Sequence, residues 1–210
     1  MFSKFAEISP LVWGILATLI IVGIVLFAVT RDKKRWNARM LANAALCIAL
    51  AFILSYIRLY KMPQGGSITL ASMLPLFLFA YAYGVGPGML AGMAYGFLQF
   101  IQDAYFVHPI ELVLDYPLAF ALLGLAGLAK KWNGNWGLIA GIVLGVFGRF
   151  LCAFTSGVVF FGMYAPEGQN VFLYSAVYNG AYLIPETLIC IVLALIPQIR
   201  QLAHRLALES

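Results

Sequence analysis

Trp136–Gly162 reads WGLIAGIVLGVFGRFLCAFTSGVVFFG, a stretch in which the one charged residue is Arg149. About 20 apolar residues suffice to cross a bilayer as an α-helix, so this run predicts a membrane span. Working outward from it, six more apolar runs stand out: Leu11–Val29, Met40–Tyr60, Ile68–Tyr83, Met89–Gln102, Glu111–Ala129 and Val171–Ile196. The whole chain agrees, with 63% hydrophobic and 10% charged residues over 210 positions. A soluble domain is about half apolar and a quarter charged. Too little polar surface remains to cover a globule in water, which excludes a disordered chain and most cytosolic enzymes. The expectation is an all-α, multi-pass protein of the cell membrane with seven spans.

The net charge of +5 is a topology signal. With the Arg31–Arg39 loop placed in the cytoplasm, Arg31, Lys33, Lys34, Arg35, Arg39, Lys130, Lys131, Arg200 and Arg205 all fall inside, nine of the 13 Lys and Arg. Lys4 and Lys61 fall outside, and Arg58 and Arg149 within spans. The N terminus is therefore expected outside and the C terminus inside, with no nucleic-acid partner. Leu11–Val29 reads as a retained anchor, because its strongest basic cluster follows it. Trp13, Trp36, Trp132 and Trp136 flank the two faces as interfacial anchors do. This layout divides the chain into an extra N-terminal helix with its basic loop (1–39), a six-helix membrane domain (40–200) and a cytoplasmic tail (201–210). Gly88, Gly92 and Gly96, and then Gly137, Gly141 and Gly145, recur every fourth position, so each set lines one helix face and lets backbones approach closely.

Polar groups inside a bilayer are expensive and point to function. The candidates are Asp115, Arg149, Asn179 and Glu186, with Asp103, His108 and Glu111 nearer the outer surface. Pro117 disturbs the helix beside Asp115 and Tyr116. Tyr174, Tyr178, Asn179, Tyr182 and Glu186 share one face of the last run, and Arg149, Ala153, Ser156 and Phe160 form a stripe on the sixth. Together these predict a pocket open to the outside, walled by rings and holding a carboxylate, an amide and an arginine. The competing reading is a structural ion pair, Asp115–Arg149 or Arg149–Glu186. No HExxH, GxSxG or Walker A pattern is present. Cys47, Cys152 and Cys190 lie in spans with no metal-ligand spacing. A non-enzyme without cofactor or metal is expected.

A series of short motifs carries a family resemblance: Met62-Pro63-Gln64-Gly65-Gly66-Ser67, Met73-Leu74-Pro75, His108-Pro109, Leu114-Asp115-Tyr116-Pro117-Leu118, Gly148-Arg149-Phe150, Ser156-Gly157-Val158, Tyr164-Ala165-Pro166-Glu167-Gly168 and Tyr178-Asn179-Gly180. In order and spacing, from about Asn43 to Ile196, the chain resembles the thiamine-specific S component of energy-coupling factor (ECF) vitamin transporters. The resemblance implies a six-helix bundle that captures its vitamin from outside and works with a transmembrane T component and two ATPase subunits. Leu11–Val29 is an addition to that six-helix pattern.

Carried over from the family, the ligand site would use Asp115, Tyr116, Arg149, Phe161, Tyr174 and Asn179. The loop Pro63, Gln64, Gly65, Gly66 and Ser67 would form a lid over it. Ala45 and Ala49 match the family's AxxxA motif for docking the T component. Asp115 and Arg149 stand where some members have Glu and Lys, Phe161 where Trp can stack, and Ala153 where members often have His. The expected function is thus a high-affinity thiamine-binding subunit of an ATP-driven importer. The alternatives are an S component for a thiamine precursor or related heterocycle, and a stand-alone ion-coupled carrier.

Overall fold

Asn37 starts helix α1 (Ala38–Ser55): its side-chain oxygen accepts the Met40 N–H at 2.7 Å, an N-cap that satisfies one orphan donor of the first turn. The computed structural model describes residues 36–132 and 136–208. The expected span Leu11–Val29, with Lys4, Trp13 and the basic residues 31–35, lies outside them.

Helix α1 stops before Tyr60, where its apolar run ends. Ser55 donates its hydroxyl hydrogen to Phe52 O at 2.6 Å or Gln102 Oε1 at 2.8 Å. The chain then forms strand β1 (Arg58–Lys61), antiparallel to β2 (Ser67–Thr69). Gly65 and Gly66, both at φ +85°, turn the hairpin through a conformation that side chains with a Cβ avoid. The expected spans Met40–Tyr60 and Ile68–Tyr83 therefore each lose one end to a strand. A short apolar run does not reveal its own periodicity, and Arg58 sits on a strand rather than within a span.

Helix α2 (Leu74–Tyr83) is buried at every position and forms the central post of the bundle. Helix α3 (Val85–Gln102) follows, then α4 (Pro109–Lys131), α5 (Gly137–Phe160), a 3₁₀ turn (Gly162–Tyr164) and α6 (Val171–Ala194). Helices α1, α4, α5 and α6 are each long and apolar enough to cross a membrane. Six of the seven expected runs thus contain a helix. Apart from the small hairpin, the described chain is an all-α membrane protein.

Helix α4 is irregular for a reason legible in its sequence. Pro117 has no N–H to donate, and the helix widens into a π turn over Leu114–Leu118 before tightening into a 3₁₀ segment over Leu122–Lys131. The glycine stripes pack within the bundle. A Cβ at Gly92 would collide with the Phe120 carbonyl of α4, and one at Gly145 would meet Phe77 of α2. The last helix, α7 (Pro197–Leu208), packs on α2: Ala203 is buried and His204 meets Tyr81 edge-on at 6.4 Å. The expected boundary at residue 200 falls inside this helix, so residues 201–208 belong to the bundle.

Candidate functional site

At the hairpin end of the bundle, α3 to α6 and the loop 62–66 enclose a cavity of about 220 Å³. Asp115, Tyr116, Arg149, Phe161, Tyr174 and Asn179 all line it, as do Pro63, Gln64, Gly65, Gly66 and Ser67. Residues spread over more than a hundred positions are therefore brought to one space.

The π turn presents Asp115 and its neighbour Tyr116 to the same cavity. Asp115 Oδ2 accepts the Ser156 hydroxyl at 2.7 Å, while Oδ1 is buried without a hydrogen-bond partner. The Tyr116 hydroxyl accepts the Tyr105 N–H at 2.9 Å and faces the Asp103 carbonyl at 3.0 Å, tying the loop after α3 to α4. On α5 and just past its end the cavity row is Arg149, Ala153, Gly157 and Phe161. Four-residue steps advance about 40° each, so this row winds around the helix and brings in Phe161. The sequence stripe instead chose Ser156, which bonds Asp115, and Phe160, which stacks on His108 at 5.1 Å.

Arg149 pairs with neither carboxylate considered for it. Its guanidinium lies 4.2 Å from the centroid of Phe120, a cation–π contact, and Nη1 approaches Met73 Sδ. Glu186 instead accepts from the hydroxyls of Thr69 and Ser72 and from the Thr69 N–H, bonding α6 to the stem of the hairpin. Both ion-pair readings are thereby corrected. Short hydroxyl donors next to a glutamate left no periodic signal.

Asn179 joins α5 to α6 at the cavity wall. Its amide nitrogen donates to Ala153 O at 3.1 Å and Ser175 O at 3.0 Å, and its oxygen accepts the Tyr182 hydroxyl at 3.0 Å. Rings also line the cavity: Phe161 stacks with Tyr105 at 6.1 Å and with Tyr164 at 6.0 Å, and on α6 Tyr174 lies 5.9 Å from Tyr178. Over the mouth, Tyr178 bonds Gln64 and Gly65, while Asp103 takes ion pairs from Arg58 and Lys61 of β1. The Lys61 hydrogen bond, then that of Arg58, holds the Asp103 carboxyl below the usual aspartate range. The site expectation omitted Tyr105, Glu111, Tyr178 and Tyr182. Glu111 and the two α6 tyrosines were visible as polar or ring residues beside the chosen ones, whereas Tyr105 in its loop gave no pattern. Among the described residues, no group of three or more His, Cys, Asp or Glu is placed to hold a metal.

A helical membrane bundle that encloses a ring-walled cavity with buried carboxylates and two arginines, Arg58 and Arg149, is a membrane protein built to bind a small solute. Residues 41–205 match the family described as Thiamine transporter protein (Thia_YuaJ). The chain is 35% identical over 171 residues to the thiamine transporter ThiT of Bacillus subtilis (strain 168), covering 74% of this chain and 88% of that protein. It is 30% identical over 172 residues to ThiT of Lacticaseibacillus paracasei (strain ATCC 334), covering 73% and 83%. The solved structure of ThiT from Listeria monocytogenes superposes with a TM-score of 0.69 at 28% identity, over 80% of this chain and 99% of that one. The chain belongs to the thiamine transporter protein family. It is a multi-pass membrane transporter and not an enzyme.

Proposed function

We propose that this protein is the high-affinity thiamine-binding S component of an ATP-driven ECF importer, taking its ligand from outside with the N terminus out and the C terminus in. One observation carries the reading: all six residues expected to hold the ligand, and all five of the expected lid, line a single cavity. Asp115 faces the cationic ligand with an unpartnered, buried oxygen, and Phe161, Tyr116 and Tyr174 orient its rings. Arg149 meets a polar group of the ligand. Asn179 takes a ring edge by exchanging the Tyr182 hydroxyl for it. The chain has no nucleotide motif, in keeping with a T component and two ATPases supplying the energy. Ala45 and Ala49 are exposed on the face of α1 turned away from the bundle, so two small residues four apart offer a flat surface to a partner helix.

Calorimetric titration of the purified protein with thiamine tests the binding, beside Asp115→Ala and Asn179→Ala. Heat in the wild type and weakened binding in both variants are expected; no heat, or unchanged affinity in both, overturns the reading. Ala153 lines the same cavity and favours one rival, a thiamine precursor. Competition of thiamine against its separate pyrimidine and thiazole halves decides between them. Uptake by the chain alone under an imposed ion gradient would instead establish an ion-coupled carrier.

A further inference from the structure

The cavity holds a second carboxylate beside Asp115. Glu111 stands one turn earlier on α4, is fully buried at 0% exposure, and lines the same space. Its Oε2 accepts the N–H groups of Val107 and His108, the second of these within a capping box that starts α4. Its Oε1 is buried and has no hydrogen-bond partner. Asp115 has the same division of labour: Oδ2 takes the Ser156 hydroxyl and Oδ1 has no partner. A helix start needs only one of the two glutamate oxygens. Leaving the other buried and unmatched is unfavourable, so capping alone does not account for a glutamate turned to this cavity.

We propose that Glu111 is a second ligand-recognition residue, and that Oε1 of Glu111 and Oδ1 of Asp115 together form a two-carboxylate face that selects a positively charged heterocyclic solute. This rests on the thiamine reading and adds to it that the cation is recognised by two carboxylates rather than one. No arginine or lysine forms an ion pair with either among the described residues. Arg149, Arg58 and Lys61 line the same cavity, but Arg149 lies over Phe120 and beside Met73, and the other two pair with Asp103, so a direct partner for the two free oxygens is left to the ligand.

The test compares thiamine with its neutral thiophene analogue by calorimetry on the full-length chain. Glu111→Gln keeps an oxygen for the Val107 and His108 N–H groups, since glutamine serves equally in a capping box. It is expected to weaken thiamine at least tenfold and the neutral analogue less than threefold. Asp115→Asn supplies a second readout that does not depend on the fold of the first variant. It is expected to keep part of the preference for the cation, the part owed to Glu111. Equal affinities of Glu111→Gln and wild type, an equal loss for both ligands, or a complete loss of preference in Asp115→Asn overturns the role of Glu111. A wild-type chain that does not bind thiamine overturns the thiamine reading itself.

Discussion

The Tyr178 hydroxyl donates to the Gly65 carbonyl at 3.0 Å, so a side chain that lines the cavity also fastens the loop across its mouth. The same hydroxyl accepts the Gln64 N–H at 2.8 Å. One phenol on α6 thereby fixes two consecutive residues of the hairpin turn.

Tyr178→Phe removes both bonds and keeps the ring beside Tyr174. A net hydrogen bond contributes about 1 kcal/mol, and the freed loop groups regain water. Bound ligand is therefore expected to dissociate about tenfold faster, with the thermal midpoint nearly unchanged. Rapid-dilution release of labelled ligand measures this. An unaltered off-rate would show that the loop is not a lid.

The second fastening is electrostatic. Arg58 and Lys61 converge on Asp103, whose carboxyl is held below its ordinary value. A group depressed in the folded state contributes stability above its unfolded value, about 3.9, and loses it as pH falls through the folded one. Ligand release should thus be flat from pH 8 to 5 with respect to this latch and accelerate only in stronger acid. The pair is partly exposed, so its contribution stays under ~1 kcal/mol and weakens with salt. Asp103→Asn should release ligand faster at pH 7 and remove the acid dependence; release rates against pH and salt check both.

What the sequence revealed follows from which signals are long. Apolar runs of 14 to 27 residues marked the helices from α1 to α6, and ring or charged residues at helical spacing on α6 marked one wall of the cavity. The stripe read from spacing shared Arg149 and Ala153 with the cavity but took Ser156 and Phe160 where the cavity takes Gly157 and Phe161, and Phe161 was supplied by the family resemblance and not by periodicity. The hairpin was invisible because Leu59, Tyr60 and Ile68 sit at the ends of long apolar runs, and strands of 4 and 3 residues are too short to show a period of two. Arg149–Glu186 stayed open as one of two ion pairs, because counting residues from the helix ends puts both at similar depth. Depth alone does not show that Thr69 and Ser72 come nearer once the hairpin stem folds in.

That correction has a measurable consequence. Glu186→Ala leaves the Ser72 hydroxyl and the Thr69 N–H in a buried place without their acceptor, while the Thr69 hydroxyl can still donate to Ser72 Oγ. At about 1 kcal/mol or more for each orphaned donor, a loss of about 2 kcal/mol or more is expected. Arg149→Met should cost far less stability while weakening ligand binding, because no carboxylate depends on it. Breaking a buried ion pair costs about 3–5 kcal/mol. A double-mutant cycle of Arg149→Met with Glu186→Gln, read by thermal unfolding in detergent, is therefore expected to show coupling well below that figure. Coupling of several kcal/mol would restore the ion pair.

Gly157 tests how closely α5 and α6 have to approach for the cavity to exist. A Cβ there would collide with Ser175 Oγ and stand 3.1 Å from Asn179 Nδ2. Both side chains are held in place, Ser175 by the Phe154 carbonyl and Asn179 by Ala153 and Tyr182, so neither can swing aside without giving up a bond. Gly157→Ala is expected to cost about 1–3 kcal/mol from overpacking and to weaken ligand binding at least tenfold by moving Asn179. Gly180 is the control on the facing helix. A Cβ at that position meets only Ile184 Cδ1 at 3.5 Å, an ordinary contact. Gly180→Ala should therefore bind normally and gain up to ~1 kcal/mol from helix propensity. Thermal unfolding and calorimetry on the two variants separate these outcomes. Equal tolerance of alanine at both positions would mean that the α5–α6 contact does not shape the site.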